Sequence, residues 1–408
     1  MQFFIDITDS SGTKYGSGPI ASASYWKSTK RVDRVGNFEF AMPASDEKAA
    51  LLANRRYATC YAILDSGPTE VGGGVIDHIE TRPDADGNVE LVVSGDDLLR
   101  ELTWRIVGRI AFVDGDLPTT QANAAGTLSL LLPAGWTITP DPAPPNDDIY
   151  YYFNGEKVWA AALKLGELSR CHAWMPTTRA LRYQSVWTNS GLRAIEAPAN
   201  PGATAPNLCY ISALSAAEDT YDLVTRIYAY GQEIPDLPYH ENIGLNHATK
   251  AALGYTLAQD ATLLQYYLER DDAALAYGQI EEWVTYNEIT APANTGNYVE
   301  TAANQMFDLV LWELQRRGQP VSYYKLSLSH APIIVEPMQT IRCVFRRAVD
   351  GRNVTDINAL LYVMGATTTV DTEGMRTTDL EVATLDRWQP SDLETLRKLT
   401  LDNLRSNL

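Results

Sequence analysis

Residues 34–67 read RVGNFEFAMPASDEKAALLANRRYATCYAILDSG, and this stretch decides the fold. In its first part, Phe38, Phe40 and Met42 alternate with smaller or polar residues. A period of two residues puts these three side chains on one face, which predicts a half-buried β-strand. Pro43 ends the strand because proline cannot donate to a sheet ladder.

A short helical turn follows this proline. Ser45 or Asp46 can cap its amino end, and Leu51 and Leu52 lie on its buried side. A second apolar strand, YATCYAIL, comes next, and the glycines at 72–74 permit a tight bend or a bulge beyond it. Several short strands with one short helix and long connections predict a small, strongly bent β-barrel in this part of the chain.

The end of the chain repeats this plan. An alternating strand, YYKLSLSH, precedes a connection bracketed by prolines, and QTIRCVFRR is the counterpart of YATCYAIL. A long hairpin at 359–388 turns at 371–374, as an earlier hairpin turns at 84–87, and both turns read Asp, small residue, acid, Gly. Because the same order of elements occurs twice, an internal duplication is one interpretation. Coincidence is the other, since Asp and Gly are favoured in hairpin turns generally.

The middle of the chain contains helical patterns. One apolar stripe predicts a helix that starts at Asn154 or Gly155, and the stripe comprises Val158, Ala161, Leu165 and Leu168. A second helix follows within NYVETAANQMFDLVLWELQRRGQP, and its apolar face comprises Ala303, Phe307, Val310, Leu311 and Leu314. The strand DLVTRIYAYGQ at 222–232 has no partner nearby in sequence, so we expect it to pair with the distant strands at 322–388.

These patterns predict a mixed α+β fold, mainly β, with two related small β-barrel domains and inserted α+β domains. The predicted segments are a first tube-like barrel at 1–105, an inserted α+β domain at 106–218, a second tube-like barrel at 219–232 plus 322–388, an insertion with helices at 233–321, and a C-terminal helix at 389–408. A length of 408 residues agrees with several domains, because a single core rarely grows so large.

Composition and charge exclude several classes of protein. Hydrophobic residues at 45% and charged residues at 21% are typical of a folded chain. A net charge of −18 disfavours sequence-independent binding to nucleic acid, because an acidic surface repels phosphate. The start, MQFFIDITDSSGTKYG, does not resemble a signal peptide, and no window reaches the roughly 18 apolar residues of a membrane span. Four widely spaced cysteines indicate buried free thiols and synthesis in a reducing cytoplasm.

No catalytic or metal-binding pattern emerges. His240 and His247 lie in a polar loop without a third ligand at a metal-binding spacing. Cys171 and His172 are adjacent, whereas a thiol nucleophile and its base normally meet across the fold. Paired acids occur where solvated charge is expected, at Asp96-Asp97, Asp147-Asp148, Asp271-Asp272 and Glu281-Glu282. We therefore predict a protein that is not an enzyme and that has no cofactor and no metal.

An aromatic run, DDIYYYF, invites two interpretations. Tyr150 to Phe153, with Trp159 nearby, can form a platform for a sugar or a protein partner. The same residues can equally form the aromatic core of the middle domain.

The arrangement resembles the baseplate hub, or tail tip hub, proteins of tailed phages, including the N-terminal hub part of siphophage tail-associated proteins. GNFEFAMPASDEKAALLANRRYATCYAI is similar to the strand, proline, short helix and second strand of that family, and GGVIDHIETRPDADGNVELVVSGDDLLRELTWRIV to its next hairpin. YDLVTRIYAYGQ is similar to the strand that opens the second barrel, and YYKLSLSHAPIIVEPMQTIRCVFRR with LLYVMGATTTVDTEG to its close. Some relatives continue into a lysin or fibre domain, whereas this sequence stops at LTLDNLRSNL, so no peptidoglycan-degrading activity is expected.

The resemblance implies a ring of three copies in the tail tip of a virion. Two barrels per chain would then give six similar units that match a six-fold tail tube to a three-fold tip. The implied partners are the other two subunits of a homotrimer, a distal tail or tube protein, the tape-measure protein and a central tip or fibre protein. DNA would pass through without specific binding, and an acidic lumen would suit that passage. A contractile tail, a flexible tail and a gene transfer agent all remain open.

Two sets of apolar residues are candidates for assembly contacts. Phe38, Phe40, Met42, Leu51 and Leu52 form a candidate subunit interface. Leu393, Leu396 and Leu404 form a candidate partner-binding face on the predicted C-terminal helix, which begins with a capping sequence at 390–392. The alternative function is that of a receptor- or carbohydrate-binding baseplate protein that uses the aromatic run at 150–153.

Overall fold

The computed structural model describes residues 3–64, 67–83, 88–111, 113–114, 117–147, 149, 152–196, 207–219, 223–233, 242–286, 289, 298–329, 331, 333–349, 352–373 and 376–384. The strands of the N-terminal part are β1 (Phe3–Thr8), β2 (Tyr25–Arg31), β3 (Asn37–Pro43), β4 (Tyr57–Leu64), β5 (Gly67–Val75), β6 (His78–Pro83) and β7 (Val89–Asp96). Those of the first insertion are β8 (Arg109–Ala111), β9 (Val113–Asp114), β10 (Leu117–Pro118), β11 (Thr137–Thr139), β12 (Tyr152–Asn154), β13 (His172–Trp174) and β14 (Ala180–Gln184).

The remaining strands divide between a second insertion and a barrel. They are β15 (Thr188–Glu196), β16 (Leu208–Asp219), β17 (Arg226–Glu233), β18 (Asn242–Gly244), β19 (Tyr255–Gln259), β20 (Tyr266–Arg270), β21 (Glu281–Tyr286), β22 (Val321–Ser329), β23 (Gln339–Val349), β24 (Arg352–Asp371) and β25 (Arg376–Ala383). The α-helices of the described chain are α1 (Gln121–Ser129), α2 (Val158–Ser169), α3 (Asp271–Tyr277) and α4 (Tyr298–Arg317), and 3-10 helices span Glu47–Leu51, Leu98–Thr103 and Leu245–His247. None of the helices described is long and apolar enough to cross a membrane.

Six strands close into a barrel. Their order is β23-β15-β16-β22-β25-β24, and β24 pairs back with β23 to complete the circle. β15 runs parallel to both of its neighbours, β16 and β23, while the other pairings are antiparallel. The interior is apolar, with Leu326, Ile341, Leu361 and Val363 fully buried, which supplies the hydrophobic free energy that holds a closed sheet together.

The barrel continues into a half-barrel through the long strand β24. Beyond Val363, β24 pairs with β2 from Gly365 to Asp371, and the sheet then runs β2-β3-β7-β6. A separate three-stranded sheet, β1-β4-β5, faces this half-barrel. Between them Trp26 stacks on Phe38 and Phe40, with ring centroids 5.1 and 5.7 Å apart.

The two sheets cross at glycines. A Cβ on Gly74 of β5 would lie 2.2 Å from the carbonyl oxygen of Asp96, and one on Gly95 of β7 would lie 1.8 Å from that of Val75. Neither separation is tolerable for a carbon atom, so the backbones approach this closely only because both residues lack a side chain. A bulge in the β4–β5 ladder at Cys60 and Tyr61 occurs beside the glycines at 72–74, where the sequence predicts a bend.

The same four-strand order occurs in both units. The half-barrel runs β2-β3-β7-β6 and the closed barrel runs β16-β22-β25-β24, with antiparallel pairing at every step. In the half-barrel, β6 and β7 form a hairpin, and β7 also pairs with the earlier strand β3. In the closed barrel, β24 and β25 form a hairpin, and β25 also pairs with the earlier strand β22. This repeated plan agrees with the internal duplication and confirms the predicted fold class, mainly β with related barrel units. The N-terminal unit differs from the prediction in being a half-barrel covered by a second sheet.

Two insertions carry the helices. In the first, α1 and α2 pack with the sheet β11-β14-β13, and Val158, Ala161, Leu165 and Leu168 are all buried as their spacing predicts. In the second, α4 covers one face of a five-stranded sheet composed of β17 to β21, and Ala303, Phe307, Val310 and Leu314 fill the core between them.

Two predicted pairings are wrong. The strand predicted at 222–232 is β17, which pairs with β18, β20 and β21 and so belongs to the second insertion rather than to the second barrel. β15 and β16, predicted within the insertion at 106–218, belong to the closed barrel. Nearby partners cost less loop-closure entropy than distant ones, which favours β20 and β21 as partners of β17. The parallel pairing of β15 with β23, in contrast, has no signature in a single sequence from which it could be predicted.

Candidate functional site

The candidate interface residues on β3 lie inside the protein. Phe38, Phe40 and Met42 are 2, 0 and 0% exposed in the half-barrel core, so their side chains offer no surface to another subunit. Leu51 and Leu52 are half-buried at the end of the 3-10 helix Glu47–Leu51 and pack against the same core. The interface hypothesis for this stretch therefore rests on the short helix and its flanks rather than on the strand.

The helix is capped as its sequence predicts. The Asp46 carboxylate accepts a hydrogen bond of 2.8 Å from the backbone nitrogen of Lys48. The neighbouring Ser22 hydroxyl, and after it the Lys48 bond, lower the pKa of Asp46. Lys48 in turn donates to the carbonyl oxygen of Pro19. These contacts fix the orientation of the helix on the half-barrel and thereby the direction in which its exposed side points.

Cys171 and His172, which are adjacent in the sequence, have separate structural environments. Burial raises the pKa of the Cys171 thiol to about 12, which leaves it protonated and inert. His172 contacts Asp33 instead, with 2.6 Å between Nδ1 and the carboxylate, and Asp33 also accepts from the backbone nitrogen of Ala173. These bonds attach β13 of the first insertion to the loop after β2. Cys60, Cys171, Cys209 and Cys343 are buried free thiols, as predicted.

Two of the acidic pairs contribute carboxylates that have structural partners. Asp97 caps the 3-10 helix Leu98–Thr103 and accepts bonds from the backbone nitrogens of Gly36 and Leu99, at 2.7 and 3.0 Å. Asp272 is paired with Arg270 at the start of α3. No three histidine, cysteine or acidic side chains within the described residues come together as metal ligands.

A buried polar cluster joins the half-barrel to the first insertion. Glu101 accepts two bonds from Arg179, at 2.9 and 3.2 Å, and one of 2.5 Å from the indole nitrogen of Trp136. Arg179 also donates to the carbonyl oxygen of Ser10. Burial alone would raise the pKa of Glu101, but the bonds from Arg179, Trp136 and Tyr57 outweigh it and lower that pKa. This cluster, together with the His172–Asp33 contact, orients the insertion relative to the barrel units.

Ion pairs also cross the boundary between the two barrel units. Arg31 of β2 makes two hydrogen bonds of 3.1 Å with Glu381 of β25, and Lys30 bonds Glu336 at 3.0 Å. Because β24 is shared by both sheets as well, the two units are held in a fixed relation. Such a block can act as a rigid building unit in an assembly.

Sequence reasoning missed an aromatic face on the second insertion. Tyr228, Tyr230, Tyr267 and Trp283 lie together on the side of its sheet opposite α4. The signal for it was present in two alternating patterns, Arg-x-Tyr-x-Tyr at 226–230 and Glu-x-Trp-x-Thr at 281–285. It was missed because neither strand's pairing partner was evident.

Other candidate residues lie outside the part of the chain that the structure describes. Leu393, Leu396 and Leu404 are among them, with the rest of the predicted C-terminal helix at 389–408. So are Tyr150 and Tyr151 and the side chains of the two aromatic residues that follow them, as well as His240.

The closed barrel, the linked half-barrel and the two insertions define a fold of phage tail proteins. Solved structures with this fold include the tail protein from Neisseria meningitidis, at 13% identity over 94% of this chain and 97% of that chain, with a TM-score of 0.57. The 43 kDa tail protein of prophage MuSo2 from Shewanella oneidensis matches at 12% identity over 93% and 97% of the two chains, with a TM-score of 0.55. A prophage tail protein from Listeria monocytogenes matches at 11% identity over 97% and 98%, with a TM-score of 0.57.

At these identities the likeness is one of fold. It extends over nearly the whole of each chain, and the predicted resemblance to phage tail proteins is confirmed at that level. No protein-family model matches the sequence, and no curated protein does.

Proposed function

We propose that this chain is a structural component of a phage or phage-like tail tip. In this proposal it is a baseplate hub protein, three copies of which form a ring with pseudo-six-fold symmetry. The ring joins the tail tube to the tip and lets DNA pass. Its role is mechanical and not enzymatic.

One observation carries the proposal: each chain contains two units with the same four-strand order, fused through β24. A closed ring of three such chains presents six similar units to one side while retaining three-fold symmetry on the other. The fold shared with tail proteins along nearly the full chain supports a place in the tail. The ion pairs of Arg31 and Lys30 keep the two units from rotating against each other, as a ring requires.

The proposed partners follow from that position. The six-unit side would contact a distal tail or tube protein, and the ring would also meet the tape-measure protein and a central tip or fibre protein. The net charge of −18 supports passage of DNA without specific binding, because an acidic wall gives no counterion-release attraction to phosphate. The protein would thus be made in the host cytoplasm and reside in the virion.

Light scattering on the purified chain over a concentration series tests the ring. A trimer of a 45.1 kDa chain has a mass of about 135 kDa (three times 45.1), and we expect that species at high concentration. Negative-stain images of it should show a central hole surrounded by six similar lobes. A chain that stays monomeric at every concentration, and also when mixed with its tube protein, would contradict the proposal.

A further inference from the structure

One face of the second insertion's sheet is apolar and covered by α4, and the other carries aromatic side chains, of which Tyr228 is buried and Trp283 is open to solvent. Ile227, Ala229 and Leu268 point towards α4 and are fully buried. The residues that alternate with them along β17 and β20 point the other way. On that side Trp283 of β21 is 54% exposed, although tryptophan is usually mostly buried.

The exposed tryptophan belongs to a stack of aromatic rings. Its ring stacks on Tyr230, with centroids 4.6 Å apart and planes inclined by 17°. Tyr228 lies next to both, 6.4 Å from Trp283 and inclined by 22°, and the ring of Tyr267 stands edge-on to Tyr228. Trp283 and its two neighbours therefore form a stack of nearly parallel rings, of which Trp283 is the exposed member.

Polar groups are fixed beside this stack of rings. Arg226, whose side chain is 5% exposed, bonds Glu269 at 2.7 Å and Glu281 at 3.0 Å, and it lies 3.6 Å from Asp260. The Tyr228 hydroxyl donates to Glu281 at 3.1 Å. These carboxylates are held in place before any ligand arrives, which reduces the entropy lost on binding.

We propose that this face binds a glycan of neutral or amine-bearing pyranose sugars. The C–H face of a pyranose ring is apolar and flat, so it can cover the exposed part of the Trp283 ring, while the hydroxyls at its rim donate to the carboxylates of Glu281 and its neighbours. Glu281 and Thr285 flank Trp283 on the same side of β21, because side chains two residues apart share a face. Both are exposed, so polar groups stand on each side of the stacking surface.

Charge restricts the class of sugar. Three carboxylates surround one guanidinium, which leaves an excess of negative charge on the face. A uronic acid, a sialic acid or a phosphate-containing polymer would be repelled at close range, whereas a neutral sugar would not and an amine would be attracted. The assignment is independent of the ring proposal, since it involves neither barrel unit.

The test is isothermal titration calorimetry of the full chain with sugar hexamers. The hexamers are those of glucose, mannose, N-acetylglucosamine, glucosamine and galacturonic acid. We expect a neutral or amine-bearing hexamer to bind and the galacturonic acid hexamer to bind about tenfold more weakly or not at all. Trp283→Ala should weaken binding about tenfold or more, as removal of a central aromatic contact typically does. The N-acetylglucosamine arm distinguishes a cell-wall type of glycan from a surface polysaccharide of neutral hexoses.

Trp104→Ala is the matched control. Trp104 is 40% exposed and lies under Arg55, on the half-barrel unit, so its removal should leave sugar binding unchanged. A second measurement needs no variant: oxidation of tryptophans mapped by mass spectrometry should be slowed by the sugar at Trp283 and not at Trp104.

Any of three results would overturn the assignment. They are absence of binding to every neutral or amine-bearing hexamer, equal binding by Trp283→Ala and the parent, and binding of a polylysine peptide only. Ring assembly of Trp283→Ala should be unchanged, which separates this proposal from the previous one.

Discussion

Asp97 is a carboxylate without access to solvent, and it should make the half-barrel sensitive to pH. Burial raises its pKa from 3.8 to about 7, although bonds from Gly36 and Leu99 oppose the shift. Between these two values the folded chain binds more protons than the unfolded chain, so the free energy of unfolding falls as the pH rises. The fall attributable to Asp97 is on the order of 4 kcal/mol over that window.

Asp97→Asn tests this dependence by urea unfolding at about pH 5, 6 and 8. The variant loses one acceptor, so it starts less stable, but its deficit relative to the parent should shrink as the pH rises because it has no proton to lose. Asp379→Asn, a change to an exposed carboxylate on β25, should leave the pH dependence of the parent intact. A deficit of Asp97→Asn that stays constant with pH would contradict the assignment.

Glu101 should matter more for stability than any surface ion pair. Its carboxylate is 4% exposed and bonded to Arg179 and Trp136, so Glu101→Ala leaves a largely buried guanidinium without its carboxylate and a buried indole without its acceptor. Loss of one partner of a buried pair typically costs about 3–5 kcal/mol. Chemical unfolding should report a loss of that size, and the double variant with Arg179→Met should recover part of it. Glu80→Ala, which breaks the exposed pair with Arg82, is the control and should have no measurable effect.

The close crossing of β5 over β7 depends on the absence of side chains at Gly74 and Gly95. In Gly74→Ala the new Cβ would lie 2.2 Å from the Asp96 carbonyl oxygen and 2.6 Å from Cδ1 of Phe38. The backbone must move, and forced overpacking of this kind typically costs about 1–3 kcal/mol or more. We expect a lower thermal midpoint and a lower yield of folded protein. Gly108→Ala is the matched control, because a Cβ there meets no atom within 4 Å; equal midpoints for the two variants would contradict the argument.

Elements with a strong local period were predictable. The strand at 37–43 and the apolar stripes of α2 and α4 appear where their spacing puts them. Asp46 caps the first short helix, as the sequence indicates. In each case the signal is local, since burial of one face dictates the type of residue every two, three or four positions.

Elements defined by distant partners were not predictable in the same way. β24 is one strand of twenty residues that serves two sheets, whereas the sequence shows only a long hairpin arm. β17 was assigned to the wrong unit because its apolar residues fit any buried strand. The aromatic face escaped notice for the same reason: Tyr228, Tyr230 and Trp283 come together only after β17 and β21 pair.

For the whole molecule, the repeated order of elements was the informative feature. It predicted two related units, and the recurring four-strand order agrees with it. How far each unit closes could not be read from the sequence. Closure of the C-terminal unit requires β15, which arrives from a different part of the chain and pairs in parallel with β23. The N-terminal unit is instead covered by β1-β4-β5.

The segment 389–408 gives a prediction about assembly. Its sequence places Leu393, Leu396 and Leu404 on one side of a predicted helix. We predict that this apolar face contacts a sister subunit or a tail partner.

Deletion of 389–408 should therefore weaken the proposed ring and leave the barrel units folded. We expect the light-scattering mass to fall towards that of one chain at a concentration where the parent is trimeric, while the thermal midpoint of the barrels stays the same. Replacing Leu393, Leu396 and Leu404 together by Ser should reproduce the deletion, because only the apolar face is lost. The matched control replaces Glu394, Lys398 and Arg405 by Ser, since these residues lie on the opposite side of the predicted helix. A truncated chain that assembles like the parent would show that this segment has no part in the ring.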